Sequence, residues 1–126
     1  MTAKKILLID DEPDIHKIAQ IGLMLECGWQ MLTATSGKAG LSLAIAESPD
    51  AILLDVMMPD MDGLATLAAL QKNAKTRSIP VIFLTAKAQS ADRRRLYGAG
   101  AKGVITKPFD PTTLASQISG YLGWSL

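Results

Sequence analysis

The chain has 126 residues, of which 48% are apolar and 20% charged, and its net charge is +1. That length and apolar content suit a single domain over residues 1–126 with a sizeable core, and the balanced charge argues against disorder and against a mainly electrostatic grip on nucleic acid. Aromatic residues are only 5% and there is one cysteine, Cys27, so base stacking has little to work with and no internal disulfide can form.

Strand-like and helix-like segments alternate along the chain. Lys5 to Ile9 is a short apolar run, as expected of a strand buried on both faces. Pro13 suits the first turn of a helix that Gly28 ends, and Ile15, Ile18, Gly22 and Leu25 fall on one face of it, the expected buried face. Trp29 to Ala34 reads as a second strand, more polar and so placed at a sheet edge. Ser36 can cap a helix reaching about Glu47. Ala51 to Leu54 is a third strand, and Asp62-Gly63 opens a third helix with Leu64, Leu67 and Leu70 spaced for burial. Val81 to Leu84 is a fourth strand, Ser90 the expected cap of a fourth helix stopping near Gly98, and Gly103 to Thr106 a fifth strand. Asp110-Pro111 caps and opens the last helix, carrying Leu114, Ile118 and Leu122. Five strand–helix units in alternation imply a parallel sheet with helices on both faces. No apolar stretch is long enough to span a bilayer and no signal peptide opens the chain, so the cytoplasm is the expected location.

Several motifs have bland explanations. GAGAKG at 98–103 matches a dinucleotide fingerprint, but it follows a helix and precedes a strand, the reverse of what that fingerprint requires. Its glycines are read as a helix stop and a turn. Asp60-Met61-Asp62-Gly63 lacks the first and last ligands of a calcium loop and is read as a turn and cap. Arg93 to Arg95 is read as a solvated helix face, with partner docking as the alternative. Cys27 is read as a small buried hydrophobe, and His16, the single histidine, as a surface helix residue.

What survives is the set of residues that end the strands. All strands of a parallel sheet finish on one edge, where ligands bind. The first strand ends in Asp10-Asp11, the third in Asp55, the fourth in Thr85 and the fifth in Lys107-Pro108. Taken singly, each aspartate could be a turn residue, Thr85 a cap and Lys107 a solvated charge. Together they deliver three carboxylates, a hydroxyl and an ammonium to one rim. The three carboxylates repel one another, and with no cation one of them tends to hold a proton. A divalent cation such as Mg²⁺, which takes oxygen ligands and often joins a few carboxylates to a phosphate, brings these three acids and one lysine to formal neutrality.

The pieces LLIDDEP, ILLDVMMPDMDG, PVIFLTA and KGVITKPF, in that order and at that spacing, cover nearly the whole chain. They resemble the receiver domain of a two-component response regulator, similar to the stand-alone chemotaxis regulators. The resemblance implies an α/β, flavodoxin-like doubly wound (βα)₅ sandwich with strand order 2-1-3-4-5. It implies that Asp55 is the phosphoacceptor. Asp10 and Asp11 would hold Mg²⁺, Asp11 more directly, together with Asp55 and the carbonyl of Met57. Thr85 would donate to the phosphoryl group, and Lys107 would pair with it and precede a cis bond to Pro108. The implied switch and output positions are Thr85, Ala86, Val104 and Pro108. Val104 stands where the family often has an aromatic residue, so the readout is expected in the loop Ala86 to Ser90 and the fourth helix, without a rotamer gate at 104. The implied donor is a sensor histidine kinase or phosphotransfer protein, and the output a downstream protein target or a dimer of the chain itself. No direct nucleic-acid contact, no membrane insertion and no activity beyond the chain's own phosphotransfer and slow autodephosphorylation are expected.

Three rivals compete with this reading. A dehalogenase-like phosphatase needs an Asp two residues after its nucleophile, where Met57 stands. A flavodoxin needs a phosphate loop in place of the acidic DDEPD. A phosphorylation-independent interaction module would keep the fold without the chemistry. The initial Met and the absence of a C-terminal linker favour a stand-alone regulator.

Overall fold

The structure, a computed structural model, describes residues 3–87 and 89–125. Five parallel strands, β1 (Lys5–Ile9), β2 (Gln30–Ala34), β3 (Ala51–Asp55), β4 (Val81–Thr85) and β5 (Gly103–Thr106), form one sheet in the order β2-β1-β3-β4-β5. Five helices alternate with them: α1 (Pro13–Cys27), α2 (Gly37–Glu47), α3 (Gly63–Lys72), α4 (Ser90–Gly98) and α5 (Leu114–Leu122). This is the expected doubly wound arrangement, with β2 at an edge. β3 and β4 each run one residue further than expected, so that Asp55 and Thr85 still belong to the ladder.

Side chains alternate across a strand, and the apolar runs therefore feed two cores. Leu7, Ile9, Ile52, Leu54 and Phe83 pack in one, with Leu67 and Leu70 of α3 and Leu96 of α4. Ile6, Leu8, Leu53, Ile82 and Leu84 pack in the other, with Ala19 and Leu23 of α1 and Leu114 and Ile118 of α5. Burial on both faces explains why the central strands read as unbroken apolar runs. Cys27 is half-buried against the second core, and its thiol reaches the Leu23 carbonyl at 3.4 Å.

Local signals set most helix ends. Ser36 Oγ accepts from the amide of Ala39 at 3.1 Å, and Asp62 Oδ1 from that of Ala65 at 2.8 Å, each satisfying a first-turn donor. Gly28 closes α1 at φ 68°. Two starts differ from expectation. Gln89, not Ser90, takes the cap position of α4, and Ser90 is its first residue. Asp110 caps a single 3₁₀ turn, Pro111–Thr113, and α5 begins only at Leu114.

The buried face of α1 is also corrected. His16, Ala19, Gly22 and Leu23 are buried, while Ile18 is 41% and Leu25 83% exposed. The helix is turned by roughly one residue from the expected face, about 100° at 3.6 residues per turn. Contacts with the C-terminal segment set that rotation. Gly22 lies against the Pro111 backbone so closely that a Cβ there would strike the Pro111 carbonyl. Beside it, the Glu26 carboxylate accepts from the Ala115 amide at 3.1 Å and the Ser116 hydroxyl at 2.6 Å.

Candidate functional site

The strand register explains why the polar strand ends meet. Ile9 pairs with Leu54, so Asp10 comes level with Asp55, and Asp55 pairs with Leu84. Thr85 pairs with Thr106, and the amide of Lys107 then bonds the Thr85 carbonyl at 2.8 Å. Sequence-distant residues thus end within a residue or two of one another along the sheet edge.

Asp10, Asp11, Glu12 and Asp55 each offer a carboxylate oxygen to a cluster in which these atoms lie within 4.8 Å of one another. Asp10 is 0% and Asp55 4% exposed, whereas Asp11 and Glu12 face water. Lys107 Nζ reaches into the cluster, 2.8 Å from Asp10 Oδ2, 3.3 Å from Asp55 Oδ1 and 3.5 Å from Glu12 Oε1. The Lys107–Pro108 bond is cis, as expected.

Burial pushes the Asp55 carboxyl above its ordinary range, and the charge of Asp10 pushes the same way. Lys107 and the Met57 amide, which donates to Asp55 Oδ1 at 3.4 Å, oppose that rise without cancelling it. For Lys107, burial favours the neutral amine, but the hydrogen bond and charge of Asp10 and the charge of Asp55 outweigh it and hold the ammonium above its usual value. Burial is the largest influence on both groups; beyond it, the charge of Asp10 raises Asp55, and the two aspartates together raise Lys107.

The donor set fits a hard divalent cation, since it consists of clustered carboxylate oxygens with one lysine to offset four acids. Counting only three acids missed Glu12. With it included, a divalent ion leaves one formal negative charge, carried where the Glu12 side chain is 62% exposed and water can screen it. Glu12 is the third acid of DDE and was visible beside the pair that the motif names.

The remaining residues are arranged as follows. Thr85 is 4% exposed, and its hydroxyl accepts from the Lys87 amide at 3.0 Å and donates to the Lys87 carbonyl at 3.1 Å. Thr85 and Met57 line a cleft of about 120 Å³ with Lys87 and Arg95. The Met57 side chain is 69% exposed. Val104 is buried in the first core, at 2% exposure. The aromatic contact with β5 comes instead from α5. Gly103 leaves room for the Tyr121 ring, whose hydroxyl donates to the Val104 carbonyl at 2.7 Å. Arg94 and Arg95 are exposed, as expected, while Arg93 is half-buried with Nη2 3.5 Å from Thr106 Oγ1. Ala88, inside the loop expected to carry the switch, lies outside the described residues.

His16 does not fit the surface role expected of it. It is 8% exposed, and its Nε2 lies 2.6 Å from the carbonyl oxygen of Asp10. That acceptor is a main-chain atom, which no side-chain motif displays.

Comparison with known proteins agrees with this geometry. The family model described as the response regulator receiver domain matches residues 6–119. Protein PilH of Pseudomonas aeruginosa is 37% identical over 119 residues, covering 94% of this chain and 97% of PilH. The DNA-binding dual master transcriptional regulator RpaA of Synechocystis is 36% identical over 118 residues, 94% of this chain but 48% of RpaA, so the chain spans about half the length of such regulators. Among solved structures, chemotaxis response regulator CheY4 of Vibrio cholerae superposes with a TM-score of 0.87 at 28% identity, covering 95% of this chain and 99% of that one. The receiver domain of a Syntrophus aciditrophicus histidine kinase gives 0.81 at 34% identity, covering 96% and 91%.

Proposed function

This chain belongs to the response regulator receiver domain family, and from that premise we propose that Asp55 is its phosphoacceptor, with residues 1–126 acting as one receiver domain. The observation that carries this reading is the setting of Asp55: a carboxylate buried at the open end of the central strand, 3.3 Å from a lysine ammonium and clustered with three other acids.

The chemistry follows from those neighbours. An oxygen of the Asp55 carboxylate attacks the phosphorus of a phosphohistidine on a sensor kinase or phosphotransfer protein. The O–P bond forms as the P–N bond breaks, and the departing imidazole takes its proton from water. Such a transfer needs position and charge neutralisation more than acid–base groups. Asp10 and Asp11, with Asp55 and the Met57 carbonyl, would hold Mg²⁺, which when bound supplies positive charge to the phosphoryl oxygens. Lys107 supplies a further positive charge, already tethered by Asp10. The Thr85 hydroxyl, at the end of the adjacent strand, is the donor for a phosphoryl oxygen.

The modified side chain carries about −2 where the carboxylate carried −1. That change is read through Thr85 and the following loop toward α4, and it alters binding to a downstream protein or to a second copy of the chain. Neither Met57 nor Lys87 offers a carboxylate or amide to position an attacking water, which favours slow autodephosphorylation and a switch over a turnover enzyme. Among the described residues no helix is long and apolar enough to cross a membrane, in keeping with a cytoplasmic site of action.

Intact mass after incubation with Mg²⁺ and acetyl phosphate, for wild type beside Asp55→Ala, tests the assignment. One added phosphoryl group is expected in the wild type and none in the variant. No addition to the wild type would favour a phosphorylation-independent interaction module, and equal addition to both would move the acceptor elsewhere.

A further inference from the structure

Asp10 is tethered at every polar atom. Its amide donates to the Ala34 carbonyl at 3.0 Å, its Oδ1 accepts from the Glu12 amide at 2.9 Å, and its Oδ2 meets Lys107 Nζ at 2.8 Å. Its carbonyl oxygen is bonded by His16 Nε2 at 2.6 Å. This last partner stands in for a backbone donor that the sequence removes. β1 ends at Ile9, so the Asp10 carbonyl has left the sheet ladder. In a tight turn the donor would be the amide three residues on, but residue 13 is proline and has no N–H. With Asp10 0% exposed, water does not replace it.

A carbonyl oxygen only accepts, so Nε2 carries the proton. Nδ1 is buried and has no hydrogen-bond partner among the described residues. The imidazole therefore makes one directed bond, to the peptide that joins Asp10 to Asp11. Asp11 is exposed, and among the described residues its carboxylate has no hydrogen bond or ion pair to orient it. The plane of that peptide helps to set the direction in which the Asp11 Cα–Cβ bond leaves the chain, and so the region its carboxylate can reach.

We propose that His16 is a positioning residue for the acidic rim: its Nε2–H pins the Asp10–Asp11 peptide and through it aims the Asp11 carboxylate at the divalent cation. The inference rests on the reading of the rim as a Mg²⁺ site. Outer partners of this kind commonly change metal affinity by about 10–100-fold when removed.

Two measurements test it. The chain holds one histidine, so the ¹⁵N spectrum of metal-free wild type at pH 8 reports this ring alone. A protonated Nε2 with an unprotonated Nδ1 is expected, and the opposite tautomer overturns the proposal. Calorimetric Mg²⁺ titration then compares wild type, His16→Leu, which fills the space without a donor, and His16→Gln, which keeps an N–H near the Nε2 position. The leucine variant is expected to bind Mg²⁺ about tenfold or more weakly, and the glutamine variant to recover most of that loss. A purely structural role would lower the melting temperature of both variants and leave the affinity within twofold, which overturns the proposal. If the leucine variant does not fold, the glutamine variant and the tautomer decide. Failure of the wild type to bind Mg²⁺ overturns the proposed function itself, and this inference with it.

Discussion

Lys107 and Asp10 are joined at 2.8 Å, closer than the 3.3 Å that separates Lys107 from Asp55, and the Asp10 side chain is wholly buried. The lysine is thus held by one acid and shared with the other. Removing one partner of a buried pair leaves the other charge uncompensated, which costs about 3–5 kcal/mol. Lys107→Met is expected to lower the melting temperature in EDTA by 10 °C or more, at about 4 °C per kcal/mol for a domain of this size. Mg²⁺ should restore part of that loss, while the rate of phosphorylation stays at least tenfold down. A variant that melts like wild type without metal would show that Asp10 does not depend on this ammonium.

Asp55 supplies a pH dependence of definite sign. Its folded carboxyl titrates above the ordinary carboxylate range because of burial and the Asp10 charge. Below the unfolded value both states are protonated and Asp55 costs nothing. As pH rises through the folded value the native state must give up a proton it holds more tightly than the unfolded chain does, and stability falls. Asp55→Asn, which stays neutral, is therefore expected to melt several degrees above wild type at pH 8 in EDTA, with the gap closing in acid. Equal melting at pH 8 would contradict the upward shift that burial and Asp10 impose on Asp55.

Gly63 tests the backbone beneath Asp55. A Cβ there would collide with the Asp55 carbonyl oxygen and the Val56 Cα, neither of which is a flexible side-chain end. Gly63→Ala is expected to cost about 1–3 kcal/mol in urea unfolding and to slow phosphorylation by shifting Asp55. Gly98→Ala is the control: nothing lies within 4 Å of its Cβ, and alanine suits a helix better by up to about 1 kcal/mol.

The readout prediction separates β5 from α5. Val104→Ala removes buried methyl groups and is expected to cost about 1–2 kcal/mol, yet to keep the change in amide spectra produced by a phosphoryl analogue such as beryllofluoride. Tyr121→Phe, which loses the hydrogen bond to the Val104 carbonyl, is expected to alter that change around β5 and α5. The opposite ranking would return the gate to position 104.

The sheet and most of its rim were legible because both follow from one regularity. Continuous apolar runs such as KILLI and AILL mark doubly buried strands, and parallel pairing then forces Asp10, Asp55, Thr85 and Lys107 to one edge. The rotation of α1 was not legible in that way. Ile15, Ile18, Ile21, Leu23, Met24 and Leu25 put apolar groups nearly all round the helix, so periodicity does not choose among faces. The choice is made by the small residues Ala19 and Gly22 and by Glu26 reaching the start of α5. His16 went unread for a related reason: its partner is a carbonyl exposed to it only by Pro13 and the fold.

A hydroxyl has one proton to give. Thr85 spends its own inside its loop, on the Lys87 carbonyl, while the amide of the same residue donates back to it. An acceptor arriving at the rim competes for that proton with the very segment that leads into α4. The hydroxyl cannot give one proton to both, so under the proposed function a phosphoryl oxygen at the rim would cost the loop its bond from Thr85 to the Lys87 carbonyl, while the Lys87 amide keeps its bond to the same hydroxyl.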